Sequence, residues 1–287
     1  MYVIAGATGR VGSAAARTLL TAGAEVRVLV RRPSDAEPWE ARGADARVVS
    51  LDDRPALTEA LGGGAGFFTL LPFDLTVDDL DAHANRLISS VAGAVVDAAA
   101  PHVVMLSSGG ADLAEGTGPI TGLHRLEEAL RSTGTTLTAL RSGHFQEKVG
   151  DVIDVARETG VYPVFAASAD VPLPMVATAD LGAVAAETLQ SPPAASERVD
   201  VVGPASSERA VAALLGDALG QELHVTTVPE EGWTSALIEA GFRPHIAETL
   251  AELYRADGHG LLAPRGDRRV RVHTPVETTI QRLLALR

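Results

Sequence analysis

The sequence predicts an α/β fold, a doubly wound parallel sheet followed by a smaller C-terminal α/β lobe. Three observations carry that expectation. The chain opens on a short apolar run, residues 2–5, which passes at once into Gly6-Ala7-Thr8-Gly9-Arg10-Val11-Gly12. Strand-like runs then alternate with helical segments as far as residue 150. Beyond that point proline density rises, at Pro163, Pro172 and Pro174, and the rhythm changes. Alternation of this kind builds βαβ units, with helices on both faces of a parallel sheet.

The elements follow in order. Strands are expected over residues 2–5, 25–30, 46–50, 66–70, 102–106 and 136–140, short runs rich in Val, Leu and Phe. Between and after them helices are expected over 11–22, 55–61, 77–99, 120–132 and 145–158. In the second half Thr178 is positioned to cap a helix through residue 189, and Ser206 one through 219. Strands at 198–202 and 222–228 and helices near 232–240, 244–256 and 276–286 complete the reading. Residues 1–150 are therefore expected to form a nucleotide-binding domain and 151–287 a smaller substrate-binding lobe, with a segment near 176–204 returning to the first.

The opening turn has a chemical meaning. A strand that reverses into a helix beneath a pyrophosphate needs glycine, because a Cβ would block both the tight turn and the approach of phosphate to backbone N–H groups. The GxxGxxG spacing of Gly6, Gly9 and Gly12 follows a strand and opens an alanine-rich helix, the context that makes the motif credible. Thr8, Arg10 and Val11 belong to the same turn. In such a Rossmann fold the residue ending the second strand chooses the cofactor: an acid bonds a ribose 2′-hydroxyl, whereas arginine accommodates a 2′-phosphate. Here that strand ends in Val30-Arg31-Arg32-Pro33. Arg31 and Arg32, with Arg10, are expected to clamp a phosphate, which makes NADP(H) the expected cofactor.

Composition narrows the field. The net charge of −13 disfavours a nucleic-acid surface, and zero cysteines exclude disulfide and thiolate chemistry. No stretch approaches the roughly 20 apolar residues of a membrane helix, and no leader precedes the first strand, so the chain reads as cytoplasmic with a small-molecule substrate as its partner. Association into a homo-oligomer stays open. Lys148 is the sole lysine, so a scheme that requires lysine has one candidate. Asp74, Asp78, Asp79, Asp81 and His83 cluster enough to suggest a metal, but read better as solvated acids at a helix start, and no metal is expected. Arg265, Arg268, Arg269 and Arg271 read as a solvated basic face. Aromatic residues make up only 4% of the chain, which draws attention to Phe145 and Trp233 as substrate contacts.

Several segments together resemble the NmrA-like group of atypical short-chain dehydrogenases/reductases: the glycine turn, Val30-Arg31-Arg32-Pro33, Leu106-Ser107-Ser108, Leu140-Arg141-Ser142-Gly143-His144-Phe145 and Thr178-Ala179-Asp180-Leu181-Gly182. The resemblance implies a bound nicotinamide nucleotide flanked by Leu70, Leu71 and Pro72, with Ser107 and Ser108 at the edge of the nicotinamide pocket. There are departures. The broader superfamily uses a Tyr-x-x-x-Lys pair, yet the tyrosines here are Tyr2, Tyr162 and Tyr254, none four residues before Lys148. His124 stands where relatives keep a lysine, and is the candidate proton donor, with Ser107 and Ser108 as candidates to polarise a substrate oxygen. Ser142-Gly143 replaces a common proline, and Ser50 a common acid. The expected activity is hydride transfer between NADP(H) and a small quinone-like, aromatic or conjugated carbonyl compound. The alternative is a regulatory protein that senses NADP without chemistry.

Overall fold

The computed structural model describes residues 1–286. The first six strands are β1 (Tyr2–Ile4), β2 (Val26–Val30), β3 (Asp45–Val48), β4 (Gly66–Leu70), β5 (His102–Ser108) and β6 (Thr136–Ser142). They are followed by β7 (His144–Phe145), β8 (Val161–Val164), β9 (Leu173–Val176), β10 (Glu197–Val202), β11 (Ala205–Ser206), β12 (His224–Thr227) and β13 (Arg268–Arg271). Eight of them form one sheet in the order β13-β10-β6-β5-β4-β1-β2-β3, and every pairing in it is parallel. The chain steps outward from β1 to β3, then crosses back to place β4 on the other side of β1, with Val3 opposite both Arg27 and Phe67. That reversal opens a crevice at the carboxyl ends of β1 and β4, the usual ligand position in such sheets.

Helices cover both faces: α1 (Arg10–Thr21), α2 (Glu37–Glu40), α3 (Arg54–Leu61), α4 (Leu80–Asp97), α5 (Ile120–Ser132), α6 (Ile153–Thr159), α7 (Thr178–Gln190), α8 (Glu208–Leu219), α9 (Trp233–Glu239), α10 (Pro244–Gly258) and α11 (Val276–Ala285). Because both faces are covered, the central strands β1, β4 and β5 are mostly apolar on both sides rather than alternating with polar residues. Ile4, Phe68, Val104 and Leu140 pack with α1 and α7 on one face. Val3, Phe67, Val103 and Leu137 pack with α3, α4 and α5 on the other. A separate core gathers Ile153, Tyr162, Val164, Leu215 and Ile280 with the short sheet of β8 and β12. α7 and β10 lie in the layers of the large sheet, β10 pairing with β6.

Local expectations fail where tertiary contacts outbid them. The helix expected over 145–158 is instead β7, a 3₁₀ turn at Gln146–Asp151, and α6. Gln146 is buried and bonds the carbonyls of Met175 and Thr274 and the Thr279 hydroxyl, so its side chain sets the local path. Thr178 is the first residue of α7 rather than its cap; the Glu147 carboxylate accepts from its backbone N–H at 2.9 Å and from its hydroxyl at 2.6 Å. Ser207, one residue beyond Ser206, caps α8 by accepting from the N–H of Ala210. The arginines near the C-terminus are exposed as expected, but they stand on an ordered element: residues 268–271 are the edge strand β13, with Arg268 paired to Glu197 at 2.8 Å. Charged side chains along an edge strand discourage pairing with another chain.

Candidate active site at the carboxyl edge of the sheet

The first component is backbone. Gly6 leaves β1 with φ +65°, and a Cβ there would run into the side chain of Leu70 at the end of β4. Its carbonyl accepts from the N–H of Gly9 at 2.9 Å, closing the turn. Gly9 is the N-cap of α1 and offers no side chain to the first-turn N–H groups of Arg10, Val11 and Gly12, which lack intrahelical acceptors by construction. A Cβ on Gly12 would lie 2.7 Å from the carbonyl oxygen of Ala5. The turn is thus a concave ring of donors at a helix N-terminus, shaped for a phosphate. Thr8 stands exposed on its rim.

Its cationic complement is smaller than the sequence suggests. Arg10 and Arg31 are exposed and form no ion pair among the described residues. Arg32 does: the turn through Pro33–Asp35 brings Asp35 back, and its carboxylate takes both arms of the Arg32 guanidinium at 3.0 Å. Asp35 thereby raises the Arg32 pKa. That leaves Arg10 and Arg31 as the arginines of the expected clamp that hold no ion pair among the described residues. No acid ends β2, so the residues present fit a nucleotide with a 2′-phosphate. Leu71 is buried and Pro72 half-buried where β4 ends.

The second component is built from side chains two strands further on. Ser107 is 3% exposed, and its hydroxyl donates to Glu127 Oε1 at 2.5 Å. Glu127, on α5, is held in turn by both arms of Arg141 on β6, Nε to Oε1 at 3.0 Å and Nη2 to Oε2 at 2.7 Å. Arg141 also reaches Asp112 at 3.5 Å, and Arg265 binds the other Asp112 oxygen at 3.2 Å. In this structure the Ser107 proton is committed to a buried carboxylate rather than offered to the crevice. Ser108 is less enclosed and donates to the carbonyl of Ser142 at 3.3 Å. His124 lies 3.0 Å, through Nδ1, from the Ala111 carbonyl, which can only accept. In the neutral ring Nδ1 therefore carries the proton and Nε2 is the basic nitrogen.

The aromatic expectations divide. Phe145 is half-buried against the main core, in register with Val176. Trp233 is 3% exposed, donates to the Val228 carbonyl at 2.7 Å, and meets Tyr254 edge-on at 5.8 Å. It is buried with its N–H satisfied inside the fold, and it lines neither of the two clefts at this edge. The acids near α4 are occupied individually: Asp74 accepts from Thr76, Asp79 caps α4, Asp78 pairs with Arg243 and Asp81 with Arg125. Among the described residues no group of three or more His, Asp or Glu side chains is arranged to hold a metal ion.

Two clefts flank this edge. One, of about 280 Å³, lies between the end of β4 and the starts of α4 and α5, lined by Leu71, Pro72, Phe73, Gly122 and Arg125. The other, of about 230 Å³, lies over the ends of β6 and β10 and is mostly apolar. Its walls include His144, whose Nε2 is 3.2 Å from Asp257 at the end of α10. Sequence reasoning passed over Glu127, Asp112 and the contact between His144 and Asp257. The one available signal was a charged residue, Arg141, near the end of a strand with no other charged residue.

A parallel sheet reversing at β1 and β4, with a glycine-built donor ring there, defines a dinucleotide-binding α/β protein. The chain belongs to the NmrA-like family, whose model matches residues 2–264. It is 26% identical over 255 residues to an NAD(P)H azoreductase of Xenophilus azovorans, covering 88% of this chain and 86% of the relative. Among solved structures it shares its fold with an NADPH-dependent quinone oxidoreductase of Escherichia coli complexed with NADPH. That match has a TM-score of 0.80 and 22% identity, over 99% of this chain and all of the other. A Citrobacter sp. triphenylmethane reductase complexed with NADP(H) matches with a TM-score of 0.83 and 20% identity, over 99% of this chain and all of the other.

Proposed function

We propose that this protein is an NADP(H)-dependent oxidoreductase that transfers hydride between the nicotinamide and a small quinone-like, aromatic or conjugated carbonyl compound. The observation that carries the reading is the donor ring of Gly6, Gly9 and Gly12 beside two unpaired arginines, Arg10 and Arg31, with no acid at the end of β2. Similarity to an NAD(P)H azoreductase along most of the chain supports the reaction class. When bound, the reduced nicotinamide supplies the hydride. The chain's own residues supply the rest.

Backbone N–H groups of the α1 first turn hold the pyrophosphate, and Arg10 and Arg31 hold the 2′-phosphate. The Leu70-Leu71-Pro72 segment flanks the nucleotide, and Ser108 edges the nicotinamide end. The enzyme works without a Tyr-x-x-x-Lys dyad. Tyr162 donates to Glu208 at 2.8 Å, and burial pushes its phenol pKa far up. Tyr254 is likewise raised by burial, and Lys148 is exposed on the 3₁₀ turn. Positioning and charge delocalisation in the acceptor then do most of the work. The setting is cytoplasmic; no described helix is long and apolar enough to cross a membrane.

The test is to follow loss of NADPH absorbance against a panel of quinones, azo dyes and activated carbonyls, with NADPH binding titrated in parallel. Acceptor-dependent oxidation is the expected result. Tight binding with no turnover would carry the regulatory reading instead, which the burial of Ser107 on Glu127 favours.

A further inference from the structure

The cleft over the ends of β6 and β10 is absorbed by neither the nucleotide site nor the expected catalytic residues. Gly109 and Ser142 line it, so it begins one residue past Ser108, whose hydroxyl is bonded to Ser142. Its opposite wall is the segment 257–264, and Leu262, Ala263 and Pro264 make that wall apolar. Few polar groups reach it. Those that do include Arg141 on β6, Asp200 on β10, and His144 with Asp257.

Both charged floor groups have a partner. Arg141 holds Glu127, and Asp200 accepts from the Gly266 N–H at 2.8 Å through Oδ2, while its buried Oδ1 has no hydrogen-bond partner among the described residues. Arg265 on the adjoining segment is turned to Asp112 and to the carbonyls of Gly260 and Leu261. His144 differs. Its Nε2 is 3.2 Å from the Asp257 carboxylate, while Nδ1 has no hydrogen-bond partner among the described residues. A ring oriented through one nitrogen by a carboxylate, with the other nitrogen unengaged in a mostly apolar cleft, is the arrangement of a proton donor or acceptor.

Resting on the reductase reading, we propose that this cleft receives the flat conjugated acceptor, that His144 is the catalytic proton donor, and that Asp257 is its positioning residue. For a quinone, hydride from the reduced nicotinamide yields the hydroquinone monoanion and oxidised nucleotide. The Nδ1–H bond of the His144 imidazolium breaks, an O–H bond forms on the oxyanion, and the neutral imidazole takes a proton back from solvent. One NADPH and one solvent proton thus reduce one quinone by two electrons. His124, bonded to the Ala111 carbonyl, is not required for the step.

The experiment uses the full chain, with menadione as the turnover probe and 2-naphthol, a non-reducible flat phenol, as a binding probe. His144→Gln keeps a donor toward Asp257 but cannot yield a proton at neutral pH. It is expected to lower kcat for menadione at least about tenfold, less than the full range of general acid catalysis because a conjugated anion is already stabilised. It should also abolish the fall in kcat on the alkaline side of the pH profile and leave the 2-naphthol Kd within about threefold. Asp257→Asn is expected to reduce kcat more than it raises KM. Ala263→Trp, on the exposed wall, should weaken 2-naphthol binding about tenfold or more without altering NADPH affinity. A wild-type kcat and pH profile in His144→Gln overturns the donor, and unchanged 2-naphthol binding in Ala263→Trp overturns the cleft. If the wild-type protein binds NADPH but reduces no acceptor, the reductase reading and the donor both fall, while 2-naphthol binding to the nucleotide-free protein still decides the cleft.

Discussion

The two halves of the sheet's carboxyl edge are made by different means. At β1 the groups that would meet a phosphate are backbone N–H donors and spaces left by glycine, all within residues 6–12. At β5 and β6 the groups are side chains drawn from residues 107, 112, 127, 141 and 265, and each needs another to be satisfied. The first half is built mainly by the local path of the chain. The second is a buried polar network, in which a missing member leaves its partner desolvated and unpaired. The contrast teaches that binding at one end and rigidity at the other can be disturbed separately.

The sharpest way to break the comparison is Arg141→Leu. Glu127, 2% exposed, would be left as a buried carboxylate without its guanidinium, at a cost of about 3–5 kcal/mol in chemical denaturation. The double variant Glu127→Gln/Arg141→Leu should recover part of that loss, and failure to recover would mean that packing of the arginine stem matters more than its charge. Next in size is Gly12→Val at the other end. A side chain directed at the Ala5 carbonyl should weaken NADPH binding by about 100-fold, read by titration of nucleotide fluorescence.

Smaller effects test the clamp and the surface. Arg31→Ala is expected to reduce the preference for NADPH over NADH by about tenfold, whereas Arg32→Ala, already spent on Asp35, should change it less than twofold. Equal effects would restore the larger clamp. The smallest change is expected at Asp267, whose carboxylate accepts from the Arg198 side chain and backbone, which lower its pKa to about 2 from 3.8. A depressed folded-state value contributes stability above the unfolded value of 3.8 that is lost as the pH falls towards about 2. The pair is nearly half exposed, so solvent screening limits its worth to less than about 1 kcal/mol. Asp267→Asn should therefore lower Tm slightly at pH 7 and flatten the loss of stability between pH 4 and pH 2, converging with the parent in stronger acid.

What the sequence determined by itself is whatever depends on neighbours in the chain. The glycine turn, the alternation of strands and helices through residue 142, and the absence of an acid at the end of β2 are local patterns, and all are present in the structure. The resemblance could place Leu70 beside the nucleotide, but its contact with Gly6 is a tertiary fact. Only the tertiary structure decided that Ser107 faces Glu127, that Arg32 is spent on Asp35, that Trp233 is a core anchor, and that residues 268–271 close the edge of the sheet. The same holds for residues 145–158, where Gln146 and Glu147 bond to segments 29 to 133 residues away and a helix gives way to a turn. The physical reason is common to all of these. A backbone conformation is written into consecutive residues, whereas the partner of a buried polar side chain depends on which distant segments the packed sheet brings within hydrogen-bond reach.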